Sequence, residues 1–457
     1  MALINIAPKL HAEEYERNFS DITPPLMRQQ ALIEAARCLF CYDAPCIKAC
    51  PTHIEVPSFI KKIATGNLKG SARVILTANI LGQSCGRVCP TEVLCEGACV
   101  MNKEGQKPIE IGRLQRYTVD YALDNNLRLF KAAPPNGRRV ACLGSGPASL
   151  ACAADLAKWG YEVLVYDKNQ LPGGLNTYGI AAYKTRARES LREVKMVEEL
   201  GVKFHQSVEV GRDIKLAELE KQFDAIFIGV GLGETAELHV PGEELEGVHG
   251  AMEFIEPTKT RPFQTIDVGC RVVVIGAGNT AIDVATAARR LGSEHTAIVY
   301  RRSEREMSAF KYEYELAQKD GVVFYWNAQP LRIVGNSHVE GLECVRTRLA
   351  GSGRRARVEP VAGTEFVIPA DMVVRALGQQ PVLQLLENVP GLATSGGRVV
   401  VNPETGQTGH PQYFAGGDCV NGGREVVDAV AEGMRAARGI HARLGSPNQE
   451  SAVGSRR

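Results

Sequence analysis

Eight of the chain's 13 cysteines lie in two runs, Cys38-x2-Cys41-x4-Cys46-x3-Cys50-Pro51 and Cys85-x3-Cys89-Pro90-x4-Cys95-x3-Cys99. No other feature limits the fold of the first hundred residues so tightly. Short, bent loops with cysteines two to four residues apart supply the four thiolates that a cubane cluster needs, and a following proline turns the chain away. Eight cysteines could also make two four-cysteine zinc sites. Zinc knuckles show paired C-x2-C at both ends, whereas these runs have x4 and x3 gaps and two Cys-Pro steps. The pattern therefore favours iron–sulfur over zinc, and both over disulfides. Cys142, Cys152, Cys270, Cys344 and Cys419 stand singly in apolar or turn contexts, as packing cysteines of a reducing compartment do.

Residues 1–133 read as helices joined by cysteine-bearing loops, for instance Arg28 to Leu39 and Ser58 to Leu81. Pro134 to Gly137 reads as a linker. From Arg138 the pattern becomes strand, Gly-rich turn, helix, strand, and it does so twice, about 130 residues apart. That period is too long for a solenoid and suits two related dinucleotide-binding domains. The expected class is α/β with an N-terminal α-helical domain and two doubly wound, disulfide-reductase-like domains. Their expected bounds are 134–264 with 379–445 for the first and 265–378 for the second, followed by a flexible polar tail at 446–457. With 53 basic against 52 acidic residues, the net charge of +1 gives no reason to expect nucleic acid or a membrane as partner. No run of about 18 apolar residues and no secretory signal is present, so a cytoplasmic protein is expected.

The two cysteine runs, followed by Pro108-Ile-Glu-Ile-Gly-Arg-Leu-Gln115, resemble the N-terminal domain shared by dihydropyrimidine dehydrogenase and the glutamate synthase small subunit. The resemblance implies two interleaved [4Fe–4S] clusters. Cys38, Cys41, Cys46 and Cys99 would hold one, and Cys50, Cys89, Cys95 and Gln115 the other. Gln115 stands sixteen residues after Cys99, where dihydropyrimidine dehydrogenase has its glutamine ligand; the glutamate synthase branch is expected to favour glutamate there. A neutral amide oxygen removes one negative charge relative to thiolate, which is a lever on reduction potential. Cys85 is left over as a packing or supporting residue.

Gly144-Ser-Gly146-Pro-Ala-Ser149 follows the strand at Val140 and opens the helix Leu150 to Trp159, where a pyrophosphate can approach the helix N-terminus. Asp167, 23 residues after Gly144, ends the next strand and can accept hydrogen bonds from both ribose hydroxyls. Gly174 and Leu175, in Leu171-Pro-Gly-Gly-Leu175, resemble the double-glycine approach of disulfide-reductase-like flavoproteins. Tyr413-Phe-Ala-Gly-Gly-Asp418 resembles that fold's second flavin motif, with Gly417 and Asp418 at the ribityl chain and the helix from Val426 facing the flavin. Lys184 and Val210 are further candidate FAD contacts implied by the resemblance.

Gly276-Ala-Gly278-Asn279-Thr280 follows the strand at Val272 and lies between the two FAD motifs, where this fold inserts its NAD(P)H domain. Arg301 occupies the position matching Asp167, with Arg302 beside it, and a guanidinium there favours a 2′-phosphate. NADPH-using dihydropyrimidine dehydrogenase has a second phosphate-binding arginine seven residues beyond the first; here that residue is Ser308. Stand-alone bacterial subunits that this chain resembles more closely use NADH, so NADH is the expected donor and NADPH the alternative. Ala376, Leu377 and Gly378 would lie near the nicotinamide. The segments Asp224 to Gly231 and Asp371 to Gly378 read as strands that return between the two domains.

The resemblance implies a hydride from NAD(P)H to FAD, then single electrons outward through the clusters. The chain lacks the FMN barrel and second ferredoxin-like domain of full-length dihydropyrimidine dehydrogenase. It is therefore expected to be the electron-input subunit of a heteromer, with heterotetramer as the expected form. Its partner would carry FMN and iron–sulfur clusters and interconvert uracil or thymine with the 5,6-dihydro forms. The alternatives are a glutamate synthase small subunit, a bifurcating-type ferredoxin–NAD(P) oxidoreductase subunit, and a non-catalytic assembly module that would leave two complete nucleotide sites unexplained.

Overall fold

The computed structural model describes residues 5–351, 356–382, 384–386 and 389–445; the tail expected to be flexible lies outside them. The chain forms two compact units. One comprises Met1–Ile22, Tyr178–Arg186 and Gly233–Gln380. The other comprises Thr23–Thr177, Ala187–Leu232 and Pro381–Arg457, so the cysteine-bearing arm and the first dinucleotide motif share one unit.

The arm is built of short helices. Val56–Ala64 buries Val56, Phe59, Ile60 and Ile63, the i, i+3, i+4, i+7 stripe of an amphipathic helix. The single helix expected over Ser58 to Leu81 is broken. Gly66 takes a left-handed φ of +76°, and Asn67 caps a new helix, Leu68–Ala78, by accepting the Gly70 N–H at 2.9 Å. The helix expected to reach Leu39 ends at Ala36, and Cys38 and Cys41 follow it in non-helical chain. Gly82–Val88 and Ile111–Asp124 pack closely, because a Cβ at Gly86 would stand 3.0 Å from the Arg116 amide nitrogen.

Beyond the arm, this unit folds as a five-stranded parallel sheet. Its order is Tyr413–Ala415, Ala225–Ile228, Arg139–Leu143, Glu162–Asp167, Lys203–Gln206. Strand order thus reverses beside Arg139–Leu143, where ligands bind in open parallel sheets. Helices Pro147–Lys158 and Val426–Leu444 pack on the sheet and against each other, and Gly433 makes room by meeting the Ala148 carbonyl where no side chain would fit. Ile80 and Leu81 of the arm share the core of this fold, and Val427 belongs to the arm's own core. Pro134–Gly137, expected as a linker, is pinned: Asn136 donates its amide to Gly160 O at 2.9 Å.

The other unit repeats the plan with a parallel sheet in the order Val248–Gly250, Met372–Arg375, Arg271–Ile275, His295–Tyr300, Val323–Trp326. The two segments read as returning strands are each an interior strand of a single sheet, Ala225–Ile228 in one and Met372–Arg375 in the other. An antiparallel layer around Val339–Ala350 is added here. Among the described residues no helix is long and apolar enough to cross a membrane.

Candidate functional site

All 13 cysteines are free thiols, and the five isolated ones are buried. The eight in the arm fall into two neighbourhoods. Cys38, Cys41, Cys46 and Cys99 line one pocket, partly open to solvent, with Val56, Ile60, Ile109 and Ile111. Burial raises the Cys38 thiol above its ordinary range, with Cys41 and Cys99 adding to it. Burial, then Cys38 and Cys99, push Cys46 up to about 12. Bare thiolates here would repel one another in an apolar wall, and cationic iron would remove that cost. The donor set therefore fits a cluster. As the side chains stand, no group of three or more cysteines, histidines or carboxylates among the described residues is arranged to hold a single metal ion.

The second neighbourhood contains Cys50, Cys85, Cys89 and Cys95. Cys89 is raised far above its ordinary range by its hydrogen bond to Cys85, then by burial and the charges of Cys85, Cys95 and Cys50. Cys95 is raised by burial, with Glu96 and Cys50 contributing. Cys85, set aside in the sequence reading, stands in this group and receives the Asn79 Nδ2–H at 3.1 Å. Gln115 lies buried on the adjoining helix and donates Nε2–H to Gly82 O at 2.8 Å. No hydrogen bond among the described residues reaches its Oε1, so that oxygen is open to an outside partner. Both Cys85 and Gln115 are thus geometric candidates for the fourth ligand.

A polar network that motif reading missed joins this part of the arm to helix Ala187–Glu198 of the flavin fold. Glu193, fully buried, accepts the Ser84 N–H at 2.9 Å and also the Ser84 hydroxyl. Gln83 Nε2 reaches Glu189 at 2.8 Å and Asp120 at 3.0 Å, and Arg87 pairs with Asp120 at 2.7 Å. Only the density of polar residues in Gln83-Ser84 and Arg87 hinted at it.

At the first dinucleotide turn, Gly144 takes φ +85° and a Cβ there would lie 2.5 Å from Gly229 O. A Cβ on Gly174 would lie 2.7 Å from the Gly146 Cα, so the double-glycine loop meets the turn backbone to backbone. Asp167, expected to accept from both ribose hydroxyls, is already engaged within the fold. Its carboxylate accepts Ser145 N–H at 2.7 Å, Ser145 O–H at 2.6 Å and Asn169 N–H at 2.8 Å, which takes three of about four acceptor directions. Ser149 Oγ and both amide atoms of Asn176 are buried without partners among the described residues, as expected of groups whose partner is a bound dinucleotide. On that observation the cradle fits FAD. Leu175 opens a four-residue helix, and Val210 is half-buried beside Ile214.

The second flavin motif brings Gly417 (φ +79°) and Asp418 to the start of helix Asp418–Asn421, and Val426 begins helix Val426–Leu444. Asp418 accepts the Arg424 N–H at 3.3 Å, and burial raises its carboxyl above the usual range. Glu432 was not foreseen; it accepts the Gly417 N–H at 2.6 Å and fixes the motif's glycine.

The other unit carries the matching turn. Gly276 takes φ +124° and donates to Val299 O at 3.0 Å, as Gly144 donates to Tyr166 O at 2.7 Å. Gly278 starts helix Asn279–Leu291, Asn279 Oδ1 accepts the Phe310 N–H at 3.0 Å, and Thr280 is exposed. Arg301 and Arg302 follow strand His295–Tyr300, with Arg301 exposed and Arg302 half-buried. Ser308 Oγ donates to Ala277 O at 3.4 Å. Ala376 donates to Ile275 O at 2.8 Å, so Ala376, Leu377 and Gly378 run past this turn. Lys184 belongs to this unit, and its buried ammonium meets Asp283 and Glu313 at 2.6 Å each, with Tyr183 donating to Asp283 at 2.8 Å. Burial lowers the Lys184 pKa, but the two carboxylates outweigh it and raise it.

Residues 15–127 match the family model described as dihydropyrimidine dehydrogenase domain II, 4Fe-4S cluster, and residues 138–433 match pyridine nucleotide-disulphide oxidoreductase. The chain is 37% identical over 459 residues to the glutamate synthase [NADPH] small chain of Escherichia coli, covering 95% of each chain. It is 32% identical over 429 residues to the NAD-dependent dihydropyrimidine dehydrogenase subunit PreT of the same organism, covering 93% of this chain and 97% of that one. Among solved structures, Mycobacterium tuberculosis FprA in complex with NADPH matches 68% of this chain and 85% of its own, with a TM-score of 0.56 and 22% identity, a likeness of fold. The chain is thus an oxidoreductase of the electron-transfer type that combines FAD, NAD(P) and 4Fe–4S chemistry. It belongs to the pyridine nucleotide-disulphide oxidoreductase family, in the glutamate synthase small-subunit-like group that adds an N-terminal 4Fe–4S domain.

Proposed function

We propose that this chain is the electron-input subunit of an NADH-dependent dihydropyrimidine dehydrogenase and carries two [4Fe–4S] clusters. Gln115 carries the pyrimidine reading. It stands in the register of the glutamine ligand, is buried, and has its amide nitrogen tied to Gly82 O so that the oxygen is left for iron. When bound, FAD would accept hydride from reduced nicotinamide and the clusters would accept its electrons singly. The chain's own part is orientation. The glycine pair Gly146 and Gly174 lets the dinucleotide lie against backbone, Glu432 sets the Gly417 turn, and the Ser84–Glu193 bonds hold the arm to the flavin fold.

The outlet in this reading is the first cysteine group. Its Cys38, Cys41 and Cys46 are half-buried, and Leu39 and Tyr42 between them stand in solvent. The partner would dock there and carry FMN, further clusters and the pyrimidine site. Arg301 without a second arginine at Ser308 supports NADH over NADPH. Thirteen cysteines without a disulfide support a cytoplasmic setting.

A second reading, delivery of electrons to a glutamine-dependent partner, draws on the higher identity to glutamate synthase small chains, 37% against 32%. Isolating the native complex and assaying it with NADH decides between them. Reduction of uracil by a complex containing FMN is the expected result. Glutamate formation from glutamine and 2-oxoglutarate would overturn the pyrimidine reading.

A further inference from the structure

We propose that Asn176 hydrogen-bonds the isoalloxazine ring of the bound FAD through both ends of its carboxamide and helps set the flavin's reduction potential. The proposal rests on the reading that the Gly144–Ser149 turn holds FAD. Asn176 is 1% exposed, and neither Nδ2 nor Oδ1 has a partner among the described residues. Buried carboxamides seldom leave both a donor and an acceptor unmet.

Its place in the fold names the partner. Asn176 is the second residue after Gly174, the point where this loop comes nearest to the dinucleotide turn. Its neighbour Thr177 is satisfied within the protein, donating to Pro172 O at 2.6 Å and meeting Ser190 Oγ at 2.8 Å. Ser149 Oγ, at the end of the same turn, is likewise buried and unpartnered. Asn176 and Ser149 thus leave open groups on the two segments that meet at Gly174 and Gly146.

The chemistry separates the parts of the ligand. A pyrophosphate takes donors only, and Asp167 at the end of strand Glu162–Asp167 marks the adenosine ribose, six residues before the chain returns at Gly173. Past that return, a side chain with a donor and an acceptor side by side complements the carbonyl and N–H edge of the flavin's pyrimidine ring. A donor held against a flavin carbonyl or N5 favours the reduced, more electron-rich ring.

The test compares wild type with Asn176→Leu and Asn176→Ser, using the full chain reconstituted with its clusters. Wild-type FAD content is read first; absence of FAD there would remove the underlying reading, and this proposal with it, before any variant is made. With FAD present, the expected result for Asn176→Leu is a shifted visible flavin band, a lower flavin midpoint potential and about tenfold weaker FAD binding to the apoprotein. Asn176→Ser, which keeps one donor and one acceptor, should fall between the two, and it serves alone if the leucine variant does not fold. Flavin spectrum and potential unchanged, with FAD affinity within twofold of wild type, would overturn the proposal. A change in FAD affinity with an unaltered flavin potential would also overturn it, because contact with adenine alone moves affinity and not potential.

Discussion

Glu193 accepts both the backbone N–H and the hydroxyl of Ser84, so one buried carboxylate of the flavin-fold helix clamps the arm helix that carries Cys85. Burial pushes its carboxyl up to about 7, with the two Ser84 bonds opposing the rise. The unfolded chain would hold this proton only to about pH 4.3. Between those values the folded state binds the extra proton, so stability falls as pH rises and levels off above about 7. Glu193→Gln should remove that slope. At about 1.4 kcal/mol for each tenfold difference in proton affinity, the variant should gain on wild type by about 3 kcal/mol between pH 5 and pH 8, whatever fixed offset the altered Ser84 bonds add. Thermal midpoints of both proteins across that range check it; parallel curves would show that Glu193 does not titrate.

The fourth ligand of the proposed second cluster is decided by iron counting. Gln115→Leu should lose about half the iron, and Cys85→Ser should keep it. Iron and acid-labile sulfide assays on anaerobically purified variants read the outcome directly. The reverse pattern would assign the ligand to Cys85, whose hydrogen bond to Cys89 puts it in the same group of cysteines.

The close approach of Gly174 to Gly146 predicts a flavin phenotype. Gly174→Ala places a methyl 2.7 Å from a backbone carbon at φ +55°, so the loop and the Gly146 turn must move apart. The variant should retain its iron and lose most of its FAD, measured by flavin release on heating. Full FAD occupancy would mean that the loop does not form the cradle.

For the pyridine nucleotide, Arg301→Ala and Arg302→Ala should leave NADH diaphorase activity within about threefold and lower any residual NADPH activity. Preference for NADPH in wild type, lost in either variant, would assign the guanidinium to a 2′-phosphate.

Much of this site was legible because its chemistry is encoded in spacing. Cysteine gaps do not depend on tertiary context, and Cys38, Cys41, Cys46 and Cys99 do line one pocket; the glycine turns recur with the same φ > 0 and the same bond to a neighbouring strand. What escaped was held by contacts between distant segments. Ser84 and Glu193 are 109 residues apart, and Glu432 reaches Gly417 across a helix turn and a loop. Gly66 and Asn67 break a continuous apolar pattern that reads as one helix, because a left-handed glycine and a capping amide outweigh periodicity locally. Asp167 showed its position but not its bonds to Ser145, which carries no motif signal of its own.

The arm is proposed to hold two clusters beside one flavin. Metal and flavin analysis of anaerobically purified protein tests this most directly. It predicts about eight iron, about eight sulfide and one FAD per chain. Zinc in place of iron, or about four iron with all eight assigned ligands intact, would contradict it.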